Sequence, residues 1–166
     1  MKNVLRYANN ADEGATLIRT AKRTNSYVYF LGDRGGGAIG MITSAQHFTG
    51  YHANERDTLE VDNKTLPQYR DVVYGGHDEE KQAELVGKLR GEIDLAALQD
   101  MARKITMKSN LQTVIYDLTA NKIWVVNRED NIRASGRPYV KFSLAKAFSE
   151  DSNVAAAPPS AATRAD

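Results

Sequence analysis

The stretch Tyr27-Val28-Tyr29-Phe30-Leu31-Gly32-Asp33-Arg34-Gly35-Gly36-Gly37-Ala38-Ile39-Gly40-Met41-Ile42-Thr43 decides the fold. Tyr27 to Leu31 is rich in aromatic and branched residues, which suit a pleated, half-buried strand. Gly32 to Gly37 supplies the positive φ angles of a tight reversal, and Ala38 to Thr43 returns. The triple glycine also raises a phosphate loop, but such loops lead from a strand into a helix N-terminus. Here a second strand follows, so a hairpin is expected. Gln46 to His52 reads as a third strand.

Upstream, residues 1 to 23 read as two helical pieces. Val4, Leu5 and Ala8 share one face, and Leu17, Ile18 and Ala21 another. Asn10 with Glu13 matches a capping box for the second piece. The first is too short to persist uncovered.

Downstream, residues 53 to 70 read as a long polar surface loop, and Asp71 to Tyr74 as a short strand ending at Gly75-Gly76. Two helices follow. His77 or Asp78 would cap the first, with Glu79 and Glu80 facing its dipole. Asp94 would cap the second, whose Leu95, Leu98, Ala102 and Ile105 form one apolar face. After Ser109 the period becomes two. Leu111 to Tyr116 and Lys122 to Val126 pair across an Asp117-led turn, Tyr139 to Ser143 is a last strand, and Leu144 to Phe148 a turn of helix. Helices, strands, helices, strands predict an α+β layered domain with antiparallel sheets over residues 1–149. From Glu150 to Asp166, Ala, Pro, Ser and Asp predominate, which predicts a disordered tail.

The 166 residues suffice for one domain with a true core. Twenty-two Lys plus Arg face 21 Asp plus Glu, so nothing recommends nucleic acid as a partner. No apolar run is long enough to span a membrane, and no signal peptide opens the chain, so a cytoplasmic location is expected. The absence of cysteine removes disulfides, thiolate metal sites and a thiol nucleophile together.

Candidate chemistry is sparse. His47 and His52, five apart around a strand, would face opposite sides, which is poor geometry for one metal even with Glu55 or Asp57 helping. No metal or other cofactor is expected. The acidic run Asp78-Glu79-Glu80 beside His77 is explained by helix-start electrostatics. Ser109 and Asn110 stand where a helix hands over to a strand. No nucleophile elbow surrounds Ser109, so satisfying backbone groups is the simpler role. His77, Ser109 and Asn110 remain as weak pocket candidates, with no confident catalytic residue. Trp124, among Ile123, Val125 and Val126, is expected in the core.

Several segments together resemble a known family. Met107 to Leu118, then Lys122-Ile123-Trp124-Val125-Val126, then Arg137-Pro138-Tyr139-Val140-Lys141-Phe142, are similar to the closing strands of the isopenicillin-N acyltransferase-like family of N-terminal-nucleophile hydrolases. Val4 to Ala8, Asp12-Glu13 and Leu17 to Thr24 look like the helices preceding a strand–turn–strand such as Tyr27 to Met41. The resemblance spans roughly residues 1 to 148 as elements in order, and corresponds to a C-terminal portion only. It implies a four-layer αββα fold and hydrolysis or transfer at an amide bond by an N-terminal cysteine, with an asparagine helping to hold the oxyanion. This chain departs from that pattern. It has no cysteine, begins with Met1, and has Gly75-Gly76-His77 where the asparagine would stand. The expectation is therefore a piece inactive alone, completed by an N-terminal segment or a second copy that supplies sheet strands. The alternative is a non-catalytic module for a peptide or small amide ligand, with His52 to Tyr69 as a lid.

Overall fold

The computed structural model describes residues 2–61, 64–144 and 146, and is α+β with antiparallel sheets. Helices α1 (Lys2–Tyr7) and α2 (Ala11–Thr20) open the chain. Asn10 caps α2, its side chain accepting the Glu13 N–H at 2.9 Å. The Glu13 carboxylate turns back to the backbone N–H of Asn9 at 2.9 Å rather than to Asn10, a capping box displaced by one residue. The six-residue α1 persists because Val4 is buried with Ala11, Ile18, Ile39 and Met41.

Strands β1 (Tyr27–Gly32), β2 (Ala38–Thr43) and β3 (Phe48–His52) form an antiparallel sheet in that order. The register runs from Tyr27↔Thr43 to Gly32↔Ala38. Ile39 and Met41 point at the helices, and α2 packs on this face. On the other face the Tyr51 ring lies across Gly40, where a Cβ would collide with it. The Tyr51 hydroxyl donates to the Tyr74 carbonyl at 2.8 Å, so the segment before α3 is pinned to the sheet.

Two expectations fail between residues 53 and 74. The polar stretch read as a loop contains a hairpin, β4 (Thr58–Val61) with β5 (Lys64–Pro67). Leu59 and Leu66 oppose each other across it and both are buried. The stretch read as a strand, Asp71 to Tyr74, is irregular, with Asp71 in the left-handed region at φ 62°. Tyr74 is buried by side-chain packing with Leu66 and Ala83 and by its hydroxyl's bond to the Pro67 carbonyl, not by strand pairing.

Helices α3 (Glu79–Lys88) and α4 (Leu95–Ile105) pack through Leu85, Val86 and Met101. Asp94 caps α4 by accepting the Ala97 N–H at 2.8 Å. Asp78 holds the cap position of α3 in a left-handed conformation, but its side chain makes no cap bond. The third sheet orders β6 (Gln112–Asp117), β7 (Lys122–Asn127) and β8 (Val140–Ser143). Trp124 is half-buried, with the Lys141 ammonium 5.8 Å from its ring centroid, and the fully buried residue of β7 is Val126. The expected turn from Leu144 to Phe148 lies mostly, and the expected tail from residue 150 wholly, outside the described residues. No described helix is long and apolar enough to cross a membrane.

Candidate functional site

Strands β1 and β6 are the outer strands of their sheets, and they line the two walls of one groove. One end is closed where Arg34 Nε donates to the Leu118 carbonyl at 3.1 Å. Gly32 lies against Leu118 at this end, a Cβ there standing 3.2 Å from Leu118 Cδ1. At the other end Val28 touches Gly76, and Gly76 shares a hollow with Leu111 and Gln112. The two strands therefore run in the same direction along the groove.

The groove has a volume of about 640 Å³. Its walls include the consecutive residues Phe30, Leu31 and Gly32, and Thr113, Val114, Ile115 and Tyr116. Successive strand residues point to opposite faces, so consecutive lining means that the groove meets the strands edge-on. Leu98, Met101, Ala102 and Ile105 of α4, with Leu5 of α1, give it an apolar floor. Leu98 is 37% exposed and Phe30 43%, because no described residue covers them here.

The ladder pattern shows which backbone groups face the opening. The Asp33 N–H donates to the Gly37 carbonyl at 3.0 Å, one rung beyond the β1–β2 pairs. Alternation from that rung sends the N–H and C=O of Tyr27, Tyr29 and Leu31 to β2, and those of Val28, Phe30 and Gly32 outward. The Arg128 N–H bond to the Leu111 carbonyl at 2.7 Å sets β6 in the same way. Thr113, Ile115 and Asp117 serve β7, and Val114 and Tyr116 face out. Two open strand edges thus border one apolar channel.

The channel continues past Ile105 into a second hollow of about 480 Å³. His77, Ser109 and Asn110, singled out from the sequence, all line it. No hydrogen bond joins His77 to Ser109, and both are exposed. Asn110 has a structural task. Its Nδ2 donates to the Gln112 carbonyl at 2.9 Å, and its Oδ1 accepts from Thr113 Oγ1 at 3.0 Å and the Ser135 N–H at 3.1 Å. It stitches the helix–strand junction to the buried 3-10 turn Ala134–Gly136. Sequence reasoning missed Gln82, which clamps the glycine corner. Its Oε1 accepts the Gly75 N–H at 3.2 Å, and its Nε2 donates to the carbonyls of Gly75, at 3.1 Å, and His77. The signal available for the groove itself was Val114-Ile115-Tyr116, an unbroken apolar run of the kind found in strands flanked on both sides.

The histidines do not converge. His52 sits between two carboxylates, its Nε2 2.8 Å from Asp12 Oδ1 and its Nδ1 3.5 Å from Glu55 Oε2. Asp12, and less so Glu55, raises the His52 pKa against a smaller effect of burial. Among the described residues no three His, Asp or Glu side chains gather as metal ligands. Comparison with protein-family models, with curated proteins and with solved structures finds no match to this chain.

Proposed function

We propose that this chain is the strand-accepting, nucleophile-free portion of an αββα amidohydrolase or acyltransferase of the isopenicillin-N acyltransferase-like kind. An extended polypeptide laid between β1 and β6 completes it. The supporting observation is the pair of open edges: Phe30 and Gly32 on one wall and Val114 and Tyr116 on the other offer backbone donors and acceptors over an apolar floor. A polypeptide strand uses such groups in full, since its backbone satisfies both edges and its alternate side chains reach the floor. The chain has no cysteine, so the nucleophile comes with the added segment. The same edges support the second reading, a non-catalytic module that holds a peptide strand without turnover.

Co-expression with an N-terminal segment of a family member, spanning its cysteine and first strands, tests this. The expected result is a stable complex in which the amides of Phe30, Gly32, Val114 and Tyr116 gain hydrogen-exchange protection. Amidase activity in that complex selects the first reading, and protection without activity the second. Unchanged exchange at these amides in a formed complex would reject both. So would turnover of a simple amide by the isolated chain that one point substitution within it abolishes.

A further inference from the structure

A polar hollow of about 440 Å³ lies elsewhere on the molecule and shares no lining residue with the groove. Three connections build it. The β3–β4 connection brings Arg56, the segment after β5 brings Arg70, and the α3–α4 connection brings Arg90. The one carboxylate in its lining is Asp57. We infer that this hollow binds the oxyanion group of a small polar ligand, a phosphoryl or carboxylate group held by Arg56, Arg70 and Arg90.

The state of the three guanidinium groups supports this. Arg23, Arg34, Arg128, Arg133 and Arg137 each donate to backbone carbonyls, whereas the guanidinium groups of Arg6, Arg19 and Arg103, like the three of the hollow, make no hydrogen bond among the described residues. Among the described residues Arg56 and Arg70 make no hydrogen bond, and each has only a neighbouring carboxylate at 3.6 Å, Glu55 and Asp71 respectively. That is well beyond the ~2.7–2.9 Å of a charge-assisted hydrogen bond. The other oxygen of each carboxylate is engaged: Glu55 Oε2 accepts the His52 N–H at 2.8 Å, and Asp71 Oδ1 accepts from Asn54 Nδ2 at 2.8 Å. Arg90 has neither a hydrogen bond nor an ion pair among the described residues. Gathering three cations around one depression raises its potential and concentrates anions there.

The walls are also held in place. The Asp71 N–H donates to Asn54 Oδ1 at 2.7 Å and the Gln68 N–H to the Asp57 carbonyl at 2.8 Å, so the segments carrying Arg56 and Arg70 are bonded to each other. Gln68 lines the hollow too, and its side-chain amide nitrogen and oxygen are buried without partners among the described residues. Guanidinium forks match planar or tetrahedral oxyanions two oxygens at a time, which favours phosphate or carboxylate over a monatomic anion.

Calorimetric titration of the full chain with inorganic phosphate and with citrate, at ionic strength held constant with sodium chloride, tests the inference. Saturable binding of at least one probe is expected, weakened about tenfold in Arg90→Gln and in Arg70→Gln, as the loss of one charge-assisted hydrogen bond predicts. Arg19→Gln, on the exposed side of α2, should leave it unchanged. The preferred probe tells a phosphoryl from a carboxylate ligand. Heats no different from those of sodium chloride, or binding undiminished in folded Arg90→Gln and Arg70→Gln, would overturn it. Neither result bears on strand binding at the groove.

Discussion

The Asp33 carboxylate accepts the Ala11 N–H at 2.9 Å, so the turn of the first hairpin also holds the N-terminus of α2. Its other oxygen accepts the N–H groups of Gly35 at 2.8 Å and Gly37 at 3.0 Å. A Cβ on Gly37 would collide with this carboxylate, which is why glycine stands there. The triple glycine serves an internal anion rather than a bound phosphate. The Ala11 N–H, followed by that of Gly37, holds the Asp33 carboxyl below its ordinary pKa. A carboxyl depressed by folding stabilises the protein above its unfolded pKa of about 3.9, and that contribution is lost as pH falls through the folded value. Melting temperatures should therefore favour the native chain over Asp33→Asn most at pH 5 and above, with the gap narrowing below about pH 4. A gap independent of pH would separate the charge of Asp33 from its role.

His52 works in the opposite direction. Its pKa is raised, so its pairing with Asp12 and Glu55 stabilises the fold fully below about pH 6.5, and that contribution is lost as pH rises through the folded value. The pair joins the first turn of α2 to the end of β3. Between pH 6 and 8.5 the melting temperature should fall in the native chain and fall less in His52→Gln. Equal slopes would show that the ion pair is inert.

Gly40→Ala should destabilise the chain by about 2 kcal/mol, because the added methyl meets the buried Tyr51 ring on the face of the first sheet opposite α2. Urea unfolding measures this. A loss below half that value would mean that the ring moves aside without giving up the Tyr74 carbonyl.

Trp124→Ala should cost about 2 kcal/mol, less than the ~3–5 kcal/mol of a fully packed tryptophan. The ring is half-buried, with the Lys141 ammonium 5.8 Å from its centroid. A loss at the upper figure in chemical denaturation would place Trp124 in the core after all.

The sequence by itself determined the elements that rest on local chemistry. Asn10 and Asp94 cap helices because their side chains reach N–H groups three residues on, and the β1–β2 turn forms because glycine tolerates its backbone. Aromatic, branched and period-two runs named six of the eight strands among the described residues, and the change of period after Ser109. It misplaced residues 53 to 74, where polar side chains conceal the Leu59–Leu66 pair and apolar ones make Asp71 to Tyr74 look like a strand. Tyr74 packs against Leu66 and Ala83 instead of pairing in a ladder, and its carbonyl is held by Tyr51, 23 residues away, a partner that no local pattern contains. The candidate site followed the same division. His77, Ser109 and Asn110 could be named in advance, but their meeting in one hollow, the alignment of the β1 and β6 edges, and the convergence of Arg56, Arg70 and Arg90 arise from tertiary packing. Only the folded chain decides them, because each brings together segments whose separation in sequence carries no signal of their distance in space.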